Sequence, residues 1–409
     1  MKILHIGRSD IKGGAQQFAF DLVINNPDCK LLVSKKFTVN EERVFLFKRL
    51  KFDGFVEFLN SFPGKFGITR TIKMFLGAQD EWNSTKVRLS NMDIFKEADI
   101  IHLHNIHGGY FDIKSLAWIA KQKPIIWTLH DMWALTGGEI HTFEHMGYKI
   151  GDAKTPYLNK YPLNKPLLDR RTSFLNLKKR LYQEIGNSIT FVPVCGWLEK
   201  ALKESYVYNN KININTIYNG IDISIFKNEN NRTWKLPRIL IINTGIYLKG
   251  AHIFEASLDL LKDKFEIYAL GKNMAVNNYQ VKHFDFIQDR KLLADMFNQV
   301  DILVFPSLAD TFPLTILEAM SCGVCIIASD VGGIPEMIPD ESYGFIFKSE
   351  NKEGLASAIS HAVNDLNKVR GMGKKGAYLV AEKFSFNKML SKYNNLYRSV
   401  IDEKPSNEF

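Results

Sequence analysis

The sequence predicts an α/β protein built from two doubly wound domains, each with a parallel sheet. Short apolar runs, typical of strands that are buried on both faces, alternate with amphipathic helical stretches. The alternation occurs in two successive series, which turn residues near positions 195–220 separate. A length of 409 residues is enough for two to three domains at roughly 150 residues each.

The predicted strands form two groups along the chain. The first group is expected at 3–6, 31–33, 100–103, 125–129 and 189–194, and the second at 239–243, 265–270, 302–305 and 325–328. Amphipathic stretches at 254–261 and 291–297 predict helices within the second group. Because the first apolar run is short and soon interrupted, the N-terminus predicts a strand and not a signal peptide.

The composition is that of an average globular protein. Hydrophobic residues make up 45% of the chain and charged residues 24%, which excludes a disordered chain, a collagen-like repeat and a coiled-coil rod. The four cysteines are widely spaced, so we expect a reducing compartment and not a disulfide framework. No apolar stretch of the sequence approaches the roughly 18 residues of a membrane span, so we expect a protein that is soluble or lies on a membrane surface.

The excess of positive charge is confined to two basic segments in the first half of the chain. Residues 35–73 carry nine basic and four acidic residues, and residues 154–182 carry eight basic and one acidic, whereas the whole chain carries a net +9. An anionic membrane surface, nucleic acid and an ordinary solvated surface all fit this pattern. Because no recognised nucleic-acid module accompanies the segments, we expect no nucleic-acid partner.

Aromatic residues are interspersed in the first basic segment. They favour an amphipathic segment that seeks a membrane surface, and they fit the buried face of a helix equally well. These residues are Phe45, Phe47, Phe52, Phe55, Phe58, Phe62 and Phe66.

Ligands bind doubly wound sheets at the carboxyl ends of the strands, so the loops there are the candidate sites. The first candidate is Gly13-Gly14-Ala15, which follows the first strand and precedes a helix. Paired glycines let the backbone approach a ligand closely, and a helix N-terminus favours negative charge. The spacing matches neither a dinucleotide-binding fingerprint nor a Walker loop, so a plain strand-to-helix turn explains these glycines equally well.

The second candidate is the segment 310–318, which follows the strand at 302–305. Asp310 is expected in the loop, with Thr311 and Pro313 at the start of a helix. Glu318 is then expected about two turns further on, and Gly323 at the end of the helix. A carboxylate in so apolar a helix needs a partner, which is either a ligand or a structural salt bridge or cap.

This segment resembles the signature of family 4 retaining glycosyltransferases (glycosyl transferases group 1). The signature has an acidic residue, seven intervening residues and a glutamate, and here Ala319-Met320-Ser321-Cys322-Gly323 and Gly332-Gly333-Ile334-Pro335-Glu336 follow. Further landmarks agree in order and spacing: Gly13-Gly14-Ala15, Ile101-His102-Leu103-His104-Asn105, Thr128-Leu129-His130-Asp131-Met132-Trp133 and Tyr218-Asn219-Gly220-Ile221-Asp222. The resemblance covers nearly the whole chain and implies the GT-B fold, in which two doubly wound Rossmann-like domains face each other across a cleft.

The resemblance also implies a domain plan. Residues 1–195 would form an acceptor-binding Rossmann-like domain, residues 196–385 a nucleotide-sugar donor-binding one, and the helix in 386–409 would return to the first domain. The stretch that begins His130-Asp131-Met132-Trp133 is similar to bacterial transferases that build exopolysaccharide and lipopolysaccharide.

The implied function is retaining transfer of a hexose-type sugar from a UDP- or GDP-linked donor to a glycan or lipid-linked oligosaccharide acceptor. No cofactor and no metal would be required. The enzyme would work in the cytoplasm or peripherally on the inner face of the cytoplasmic membrane. Two alternatives stay open, a sugar-nucleotide epimerase of the same fold and a non-catalytic nucleotide-sugar-binding subunit.

The resemblance implies roles for individual side chains. Glu318 would hydrogen-bond the ribose hydroxyls, and Asp310 would contact the transferred sugar or stabilise the positive charge that develops on it. Lys249 would neutralise the diphosphate, and His130 would lie near the sugar and the acceptor. The groups expected to bind the diphosphate through their backbone belong to Gly13, Gly14, Phe312, Pro313, Leu314 and Thr315. The residues expected on the acceptor side are His104, Asn105 and Asp131.

The sequence departs from the family pattern at three places. Asp310 stands where a glutamate is usual, and Pro313 replaces a frequent glycine and removes a backbone N–H. Asn243-Thr244-Gly245 stands where the family has an arginine before Lys249. Lys249 is therefore expected to be the main phosphate-binding cation, with Lys272 as the second candidate.

Histidines cluster in one part of the chain, and a zinc site is one interpretation of the cluster. Packing or hydrogen bonding near the strand end is the other, and the lack of an Asp-x-Asp pair favours the prediction that no metal binds. The six histidines, which fall within 44 residues, are His102, His104, His107, His130, His141 and His145.

Overall fold

The computed structural model describes residues 1–47, 76–78, 80–81, 83–143, 145–153, 168–229, 231–274, 276 and 279–402. The chain divides into two units. The first comprises Met1–Val194, Leu198–Ile217 and Tyr393–Phe409, and the second comprises Cys195–Trp197 and Tyr218–Lys392. The sequence analysis places the divisions at 195 and 385. Most of the first basic segment and part of the second lie outside the described residues.

Within its described residues, the first unit has a seven-stranded parallel sheet in the order β3-β2-β1-β4-β5-β6-β7. Strands β4, β5 and β6 are buried at every residue, as expected for a sheet covered on both faces. The order changes direction between β1 and β4, and such switch points bind ligands in doubly wound sheets. The strands are β1 (Ile3–Ser9), β2 (Cys29–Lys35), β3 (Val44–Leu46), β4 (Ile100–Leu103), β5 (Ile125–Leu129), β6 (Ile189–Pro193) and β7 (Asn213–Ile214).

The C-terminal helix, Phe386–Asp402, ends in the first unit. Its Tyr393 and Tyr397 are fully buried there and hydrogen-bond Thr128 and His102, each over 2.8 Å. The other helices whose residues fall wholly or mainly in this unit are Gly14–Ile24, Thr85–Ser90, Asp93–Glu97, Ser115–Ala120, Gly147–Ile150, Arg171–Ile185 and Gly196–Lys203.

The described residues of the second unit form a six-stranded parallel sheet in the order β10-β9-β8-β11-β12-β13, with its switch point between β8 and β11. The strands are β8 (Arg238–Asn243), β9 (Glu266–Gly271), β10 (Val281–Phe284), β11 (Ile302–Phe305), β12 (Cys325–Ser329) and β13 (Gly344–Phe347). The helices are Ala251–Leu258, Arg290–Asn298, Leu314–Ser321, Ile334–Met337, Lys352–Asn364 and Leu366–Lys383.

The prediction of two doubly wound parallel sheets is confirmed, and the nine strands expected from apolar runs are all present. The four strands that the sequence analysis missed, β3, β7, β10 and β13, are the edges of the two sheets. All four are partly exposed. Strands β7 and β10 lack a continuous apolar run, and the apolar runs of β3 and β13 are only three residues long.

Two further expectations concern cysteines and membrane spans. All four cysteines lie in the described chain, and each is buried without a disulfide. In the described part of the chain, no helix combines the length and the hydrophobicity needed to cross a bilayer.

Candidate active site

In the second unit, hydrogen bonds join the loops after β8 and β11 at the switch point of the sheet. The Leu308 N–H donates to the Leu248 carbonyl oxygen over 2.8 Å, and the Ser307 hydroxyl donates to the same oxygen over 3.1 Å. Gly250 has a φ of +72°, and a Cβ there would lie 1.8 Å from the Pro306 carbonyl oxygen. Only glycine fits so close an approach. The turn that carries Lys249 is therefore fixed against the loop that leads to Asp310.

Lys249 and Asp310 form an ion pair across these two loops. The Lys249 Nζ lies 2.6 Å from the Asp310 Oδ2, and the two side chains are 36% and 17% exposed. The family resemblance implies different partners for these residues, the diphosphate for Lys249 and the transferred sugar for Asp310, whereas the structure brings the two side chains into contact. A ligand anion that binds Lys249 must therefore compete with Asp310.

The helix Leu314–Ser321 follows Asp310 and carries Glu318. Gly323 ends it as expected, because the Val324 N–H donates to Ala319 O and the Gly323 N–H donates to Met320 O, the pattern of a Schellman motif. Glu318 is half-buried on this helix, so its carboxylate is not enclosed by the apolar residues around it.

The start of this helix differs from the prediction. Pro313 is the N-cap residue and not the first helical residue, so the helix begins one residue later than expected, at Leu314. Thr311 does not cap the helix, and its buried hydroxyl has no hydrogen-bond partner within the described chain. Phe312 is buried, whereas Pro313, Leu314 and Thr315 are partly exposed, and the first N–H groups of a helix have no acceptor within it.

The loop from Asp310 to Phe312 is held by two neighbouring segments. The Gly333 N–H donates to the Thr311 carbonyl oxygen over 2.7 Å, and the Asn219 side chain donates to the Phe312 carbonyl oxygen over 3.2 Å. Gly332 has a φ of +57°, and a Cβ there would lie 1.9 Å from the Asp310 carbonyl oxygen. The paired glycines of the motif thus support the loop, a role that the sequence analysis did not assign.

Glu336, the last residue of that motif, is a structural anchor. Its carboxylate accepts hydrogen bonds from the Gly196 N–H at 2.9 Å, the Trp197 N–H at 2.6 Å and the Tyr218 hydroxyl at 2.6 Å. Gly196 and Trp197 begin a helix, whose N-terminus favours a carboxylate. Burial and the Glu336 carboxylate together raise the pKa of Tyr218.

Lys272 is the second candidate for a phosphate-binding cation. It follows β9 directly, is exposed, and passes its side chain over Gly245. Its backbone pairs with Asn243, the last residue of β8. Lys272 therefore lies beside the segment in which the family arginine is missing.

In the first unit, Gly13 and Gly14 are exposed at the start of the helix Gly14–Ile24. The loop before them is anchored by Asp10, whose carboxylate accepts hydrogen bonds from the Thr38 hydroxyl and from the N–H groups of Phe37 and Thr38. Burial opposes the charge on Asp10, but these hydrogen bonds outweigh it and lower the pKa of Asp10. Asp10 was not recognised in the sequence, because a lone aspartate in a turn carries no distinctive signal.

A buried group of histidines lies beside the switch point of the first sheet. The His5 Nδ1 lies 3.0 Å from the His104 Nε2, and the His104 Nδ1 lies 3.3 Å from the His130 Nε2. His104 is only 2% exposed, so within this group it lies deeper than His130, which is partly exposed. Asn105, the next residue, is partly exposed. His5 was missed because a single histidine in a buried strand is an ambiguous signal.

Asp131, expected on the acceptor side, pairs with His107. The Asp131 Oδ2 lies 3.0 Å from the His107 Nε2, and the Oδ1 accepts the Trp133 N–H over 2.8 Å. Burial opposes both charges, but their mutual attraction outweighs it, so the pKa of His107 is raised and that of Asp131 is lowered. Asp80 accepts the N–H groups of Gly108 and Gly109, each at 2.8 Å, and so holds the loop that carries His107.

Lys178 holds the segment that follows Asp131 through buried hydrogen bonds. It is fully buried, donates to the carbonyl oxygens of Trp133 and Thr136, and places its Nζ 3.7 Å from the centre of the Trp133 ring. Burial lowers the pKa of Lys178 to about 7. In the sequence this lysine belongs to a basic segment that is typical of a surface, whereas the structure shows that it is part of the core.

Neighbouring cations of the second basic segment are also used internally. Arg170 pairs with Glu81 over 3.0 Å, and Arg171 pairs with Glu139 over 2.9 Å and with Asp169 over 2.7 Å. The described part of this segment is therefore less available to a membrane than its sequence charge indicated.

Metal-ligating side chains come together at one place in the described residues. His5, His102 and His104 each offer a nitrogen, and these nitrogens lie within 4.8 Å of one another. Both ring nitrogens of His102 are already hydrogen-bonded, one to the Tyr397 hydroxyl and one to the Thr128 hydroxyl. A metal would have to displace these bonds, so hydrogen bonding explains the cluster better.

Comparisons with known proteins relate this chain to glycosyltransferases by sequence. Residues 237–365 match the family model described as glycosyl transferases group 1. The chain is 28% identical over 255 residues to WcaC of Escherichia coli (strain K12), provisionally named a colanic acid biosynthesis glycosyl transferase, and this match covers 58% of the chain and 62% of the relative. It is 30% identical over 175 residues, 41% of the chain and 46% of the relative, to the N,N'-diacetylbacillosaminyl-diphospho-undecaprenol alpha-1,3-N-acetylgalactosaminyltransferase of Campylobacter jejuni. The matches thus span less than two thirds of either relative.

Solved structures share the fold of this chain over nearly its whole length. Sucrose-phosphate synthase from Thermosynechococcus elongatus has a TM-score of 0.67 at 15% identity, covering 98% of this chain and 99% of that one. Anabaena HepE in complex with UDP has a TM-score of 0.65 at 16% identity, covering 98% and 100%.

The fold therefore belongs to the GT-B class, with two Rossmann-like units. Residues 237–365 form a glycosyl transferases group 1 domain, and the relatives that match this chain are named glycosyltransferases. The names of these relatives favour a transferase over an epimerase or a non-catalytic subunit.

Proposed function

We propose that this glycosyltransferase moves a hexose-type sugar from a UDP- or GDP-linked donor to a glycan or lipid-linked acceptor, with retention of anomeric configuration, as family 4 enzymes do. The observation that carries the proposal is the Lys249–Asp310 ion pair, which lies at the switch point of the second sheet and immediately precedes the helix with Glu318. The HepE structures with UDP and with UDP-glucose support a nucleotide-sugar donor.

Donor binding would exchange the partner of Lys249. The diphosphate carries more negative charge than the Asp310 carboxylate, so it would draw the Lys249 ammonium away from Asp310. Leu314 and Thr315 are partly exposed at the start of the helix, and their N–H groups would add hydrogen bonds and the partial positive charge of a helix N-terminus. The half-buried Glu318 carboxylate would accept both ribose hydroxyl hydrogens.

The chemical step would then proceed on one face of the sugar. The bond from the anomeric carbon to the phosphate oxygen breaks, and the acceptor oxygen bonds to the same face of that carbon. The acceptor hydroxyl gives its proton to the departing phosphate oxygen. Asp310, released from Lys249, would stabilise the positive charge that develops on the sugar ring. The proposal assigns diphosphate neutralisation to Lys249 and backbone N–H groups, so no metal is required.

We assign the reaction to bacterial surface polysaccharide biosynthesis at the inner face of the cytoplasmic membrane. The names of the E. coli and C. jejuni relatives, which refer to colanic acid and to an undecaprenol-linked sugar, support this assignment. Exposed apolar side chains on the first unit support contact with lipid: Ile140, Met146, Leu168 and Ile150, the last 78% exposed.

A panel of UDP- and GDP-sugars, incubated with the protein and analysed by mass spectrometry, tests the proposal. We expect slow release of nucleoside diphosphate and free sugar from one donor, because water replaces the missing acceptor. Conversion of one nucleotide sugar into its epimer would identify an epimerase, and binding without turnover would identify a non-catalytic subunit. Either result would contradict the proposal.

A further inference from the structure

Three histidines of the first unit form a hydrogen-bonded row that ends in the core. His5 is fully buried, and its Nε2 has no hydrogen-bond partner in the part of the chain that the structure describes. Its Nδ1 pairs with the His104 Nε2, and the His104 Nδ1 pairs with the His130 Nε2. His130 is partly exposed, so the row leads from the core to a side chain that can meet a ligand.

Neutral imidazoles allow only two proton arrangements that keep both hydrogen bonds. In the first, His5 Nδ1–H donates to His104 and His104 Nδ1–H donates to His130, so the unpaired atom in the core is a bare lone pair on His5 Nε2. In the second, every bond is reversed, and His5 Nε2 carries a buried N–H without an acceptor. Buried N–H groups without an acceptor are rarer than bare acceptors, so the first arrangement is favoured.

We infer that His5 and His104 are positioning residues that fix the proton of His130 on its Nδ1, so that His130 presents an N–H donor to its ligand. The His130 Nε2 is occupied by the bond from His104 and has no proton to give. The two nitrogens of a histidine are distinct in this way because the bond made by one decides the state of the other.

The three imidazole rings of the row are neutral at pH 7. Burial lowers the pKa of His5 to about 3, that of His104 well below its usual value, and that of His130 to about 4. All three rings are therefore neutral at pH 7, and each carries a single proton. His102 lies outside the row, because its hydrogen bonds go to Tyr397 and Thr128.

The consequence for catalysis rests on the proposed function. With its lone pair engaged by His104, His130 cannot act as a general base toward the acceptor. It would instead donate a hydrogen bond to a sugar or acceptor oxygen. This fits a reaction in which the departing phosphate takes the acceptor proton.

Nuclear magnetic resonance of protein with nitrogen-15 in its histidines tests the inference directly. Two-bond proton–nitrogen correlations distinguish the tautomers, and His130→Gln identifies the signals of His130. In the wild-type protein we expect the proton of His130 on Nδ1. A proton on Nε2 would overturn the inference. So would a stoichiometric zinc ion that His104→Leu releases, because the metal and the row need the same nitrogens.

Two variants of His104 separate positioning from folding. His104→Leu removes the donor to His130, so we expect the His130 proton to move to Nε2. His104→Asn keeps an N–H close to the position of Nδ1, so we expect the wild-type tautomer to persist. A His130 tautomer that is unchanged in a folded His104→Leu protein would contradict the inference. The wild-type measurement decides the matter if either variant does not fold.

Turnover gives a second readout. His104→Leu should lower kcat by roughly tenfold with little change in the donor KM, and His104→Asn should restore most of it. Wild-type protein with the expected tautomer but no transfer from any donor would contradict the proposed function and support the positioning role. Measured transfer with the opposite tautomer would support the proposed function and contradict the positioning role.

Discussion

Lys249 and Asp310 are paired at 2.6 Å, although their sequence motifs lie on different loops and predict different partners. The pair joins a cation and a carboxylate at the switch point of one sheet. In the proposed function, a nucleotide-sugar donor would need the cation for its diphosphate and the carboxylate for its sugar. Because both side chains are partly exposed, their attraction is screened by water, and a ligand of higher charge can displace one partner.

Lys249→Ala should weaken the binding of nucleoside diphosphate by at least tenfold, about 1.4 kcal/mol. Removal of the lysine also leaves the Asp310 carboxylate unpaired beside the ligand, where it repels phosphate. Calorimetry with UDP and GDP measures the effect. Lys272→Ala is the matched control, and we expect a smaller loss because Lys272 is exposed over Gly245. The reverse order of losses would transfer the phosphate role to Lys272.

Glu318→Ala should lose roughly 2 to 4 kcal/mol of transition-state stabilisation with little change in thermal stability, because the side chain is only half-buried. Glu318→Gln, which keeps the shape and one acceptor, should lose less. Turnover at saturating donor is the measurement. Undiminished turnover by the alanine variant would show that Glu318 does not take part in the reaction.

Lys178 should make the stability of the protein depend on pH above neutrality. Its pKa is about 7 in the folded protein and near 10.5 in the unfolded chain. Between these values the unfolded chain binds more protons, so the free energy of unfolding should rise with pH. The contribution is on the order of 4 kcal/mol between pH 7 and 10.

Lys178→Met is the matched variant for this prediction, because methionine is similar in length and does not titrate. Urea unfolding of both proteins from pH 6 to 10 measures the difference. We expect the free-energy advantage of wild type over the variant to grow with pH. An equal slope for the two proteins would mean that Lys178 remains charged in the folded state.

Docking to lipid should depend on the first basic segment. We expect the protein to sediment with liposomes that contain anionic lipid at low salt, and to be released at high salt, since each Lys or Arg near such a surface contributes about 1 kcal/mol. The combined variant Lys48→Glu, Arg49→Glu, Lys51→Glu should bind much less. These three residues lie outside the described part of the chain, so this prediction rests on sequence.

The matched control reverses three exposed charges on the second unit: Lys374→Glu, Lys375→Glu and Lys383→Glu. It changes net charge by the same amount, and we expect it to bind like wild type. Equal loss in both variants would point to net charge alone. Wild-type protein that stays in the supernatant at low salt would favour a soluble acceptor.

The central strands of both sheets could be predicted because burial on both faces demands continuous apolar runs such as 100–103 and 302–305. The edge strands could not, because one side of each is open, so that the apolar run is interrupted, as in Val281–Phe284, or very short, as in Val44–Leu46. The helix begins at Leu314, one residue later than a proline in the first helical position implies, because Pro fits several positions near a helix N-terminus.

The candidate site was predictable only as separate motifs. Asp310 and Glu318 are identified by their place after a strand and in a helix, and Lys249 by the family resemblance. Neither predicts that Lys249 and Asp310 touch, since that contact depends on the hydrogen bonds between their loops. Lys178 was misassigned because a lysine in a basic run gives no sign that its ammonium reaches buried carbonyl oxygens. The partners of such groups are set by tertiary packing.

Nucleotide binding by Asp310→Asn tests the central claim, that Asp310 competes with the donor diphosphate for Lys249. Asparagine keeps the size of the side chain and removes its charge. By calorimetry we expect the variant to bind UDP or GDP at least as tightly as wild type, while its turnover with the nucleotide sugar falls by about a hundredfold or more. Nucleotide affinity that falls together with turnover would contradict the account, because it would mean that Asp310 holds Lys249 in place for the diphosphate and does not compete with it.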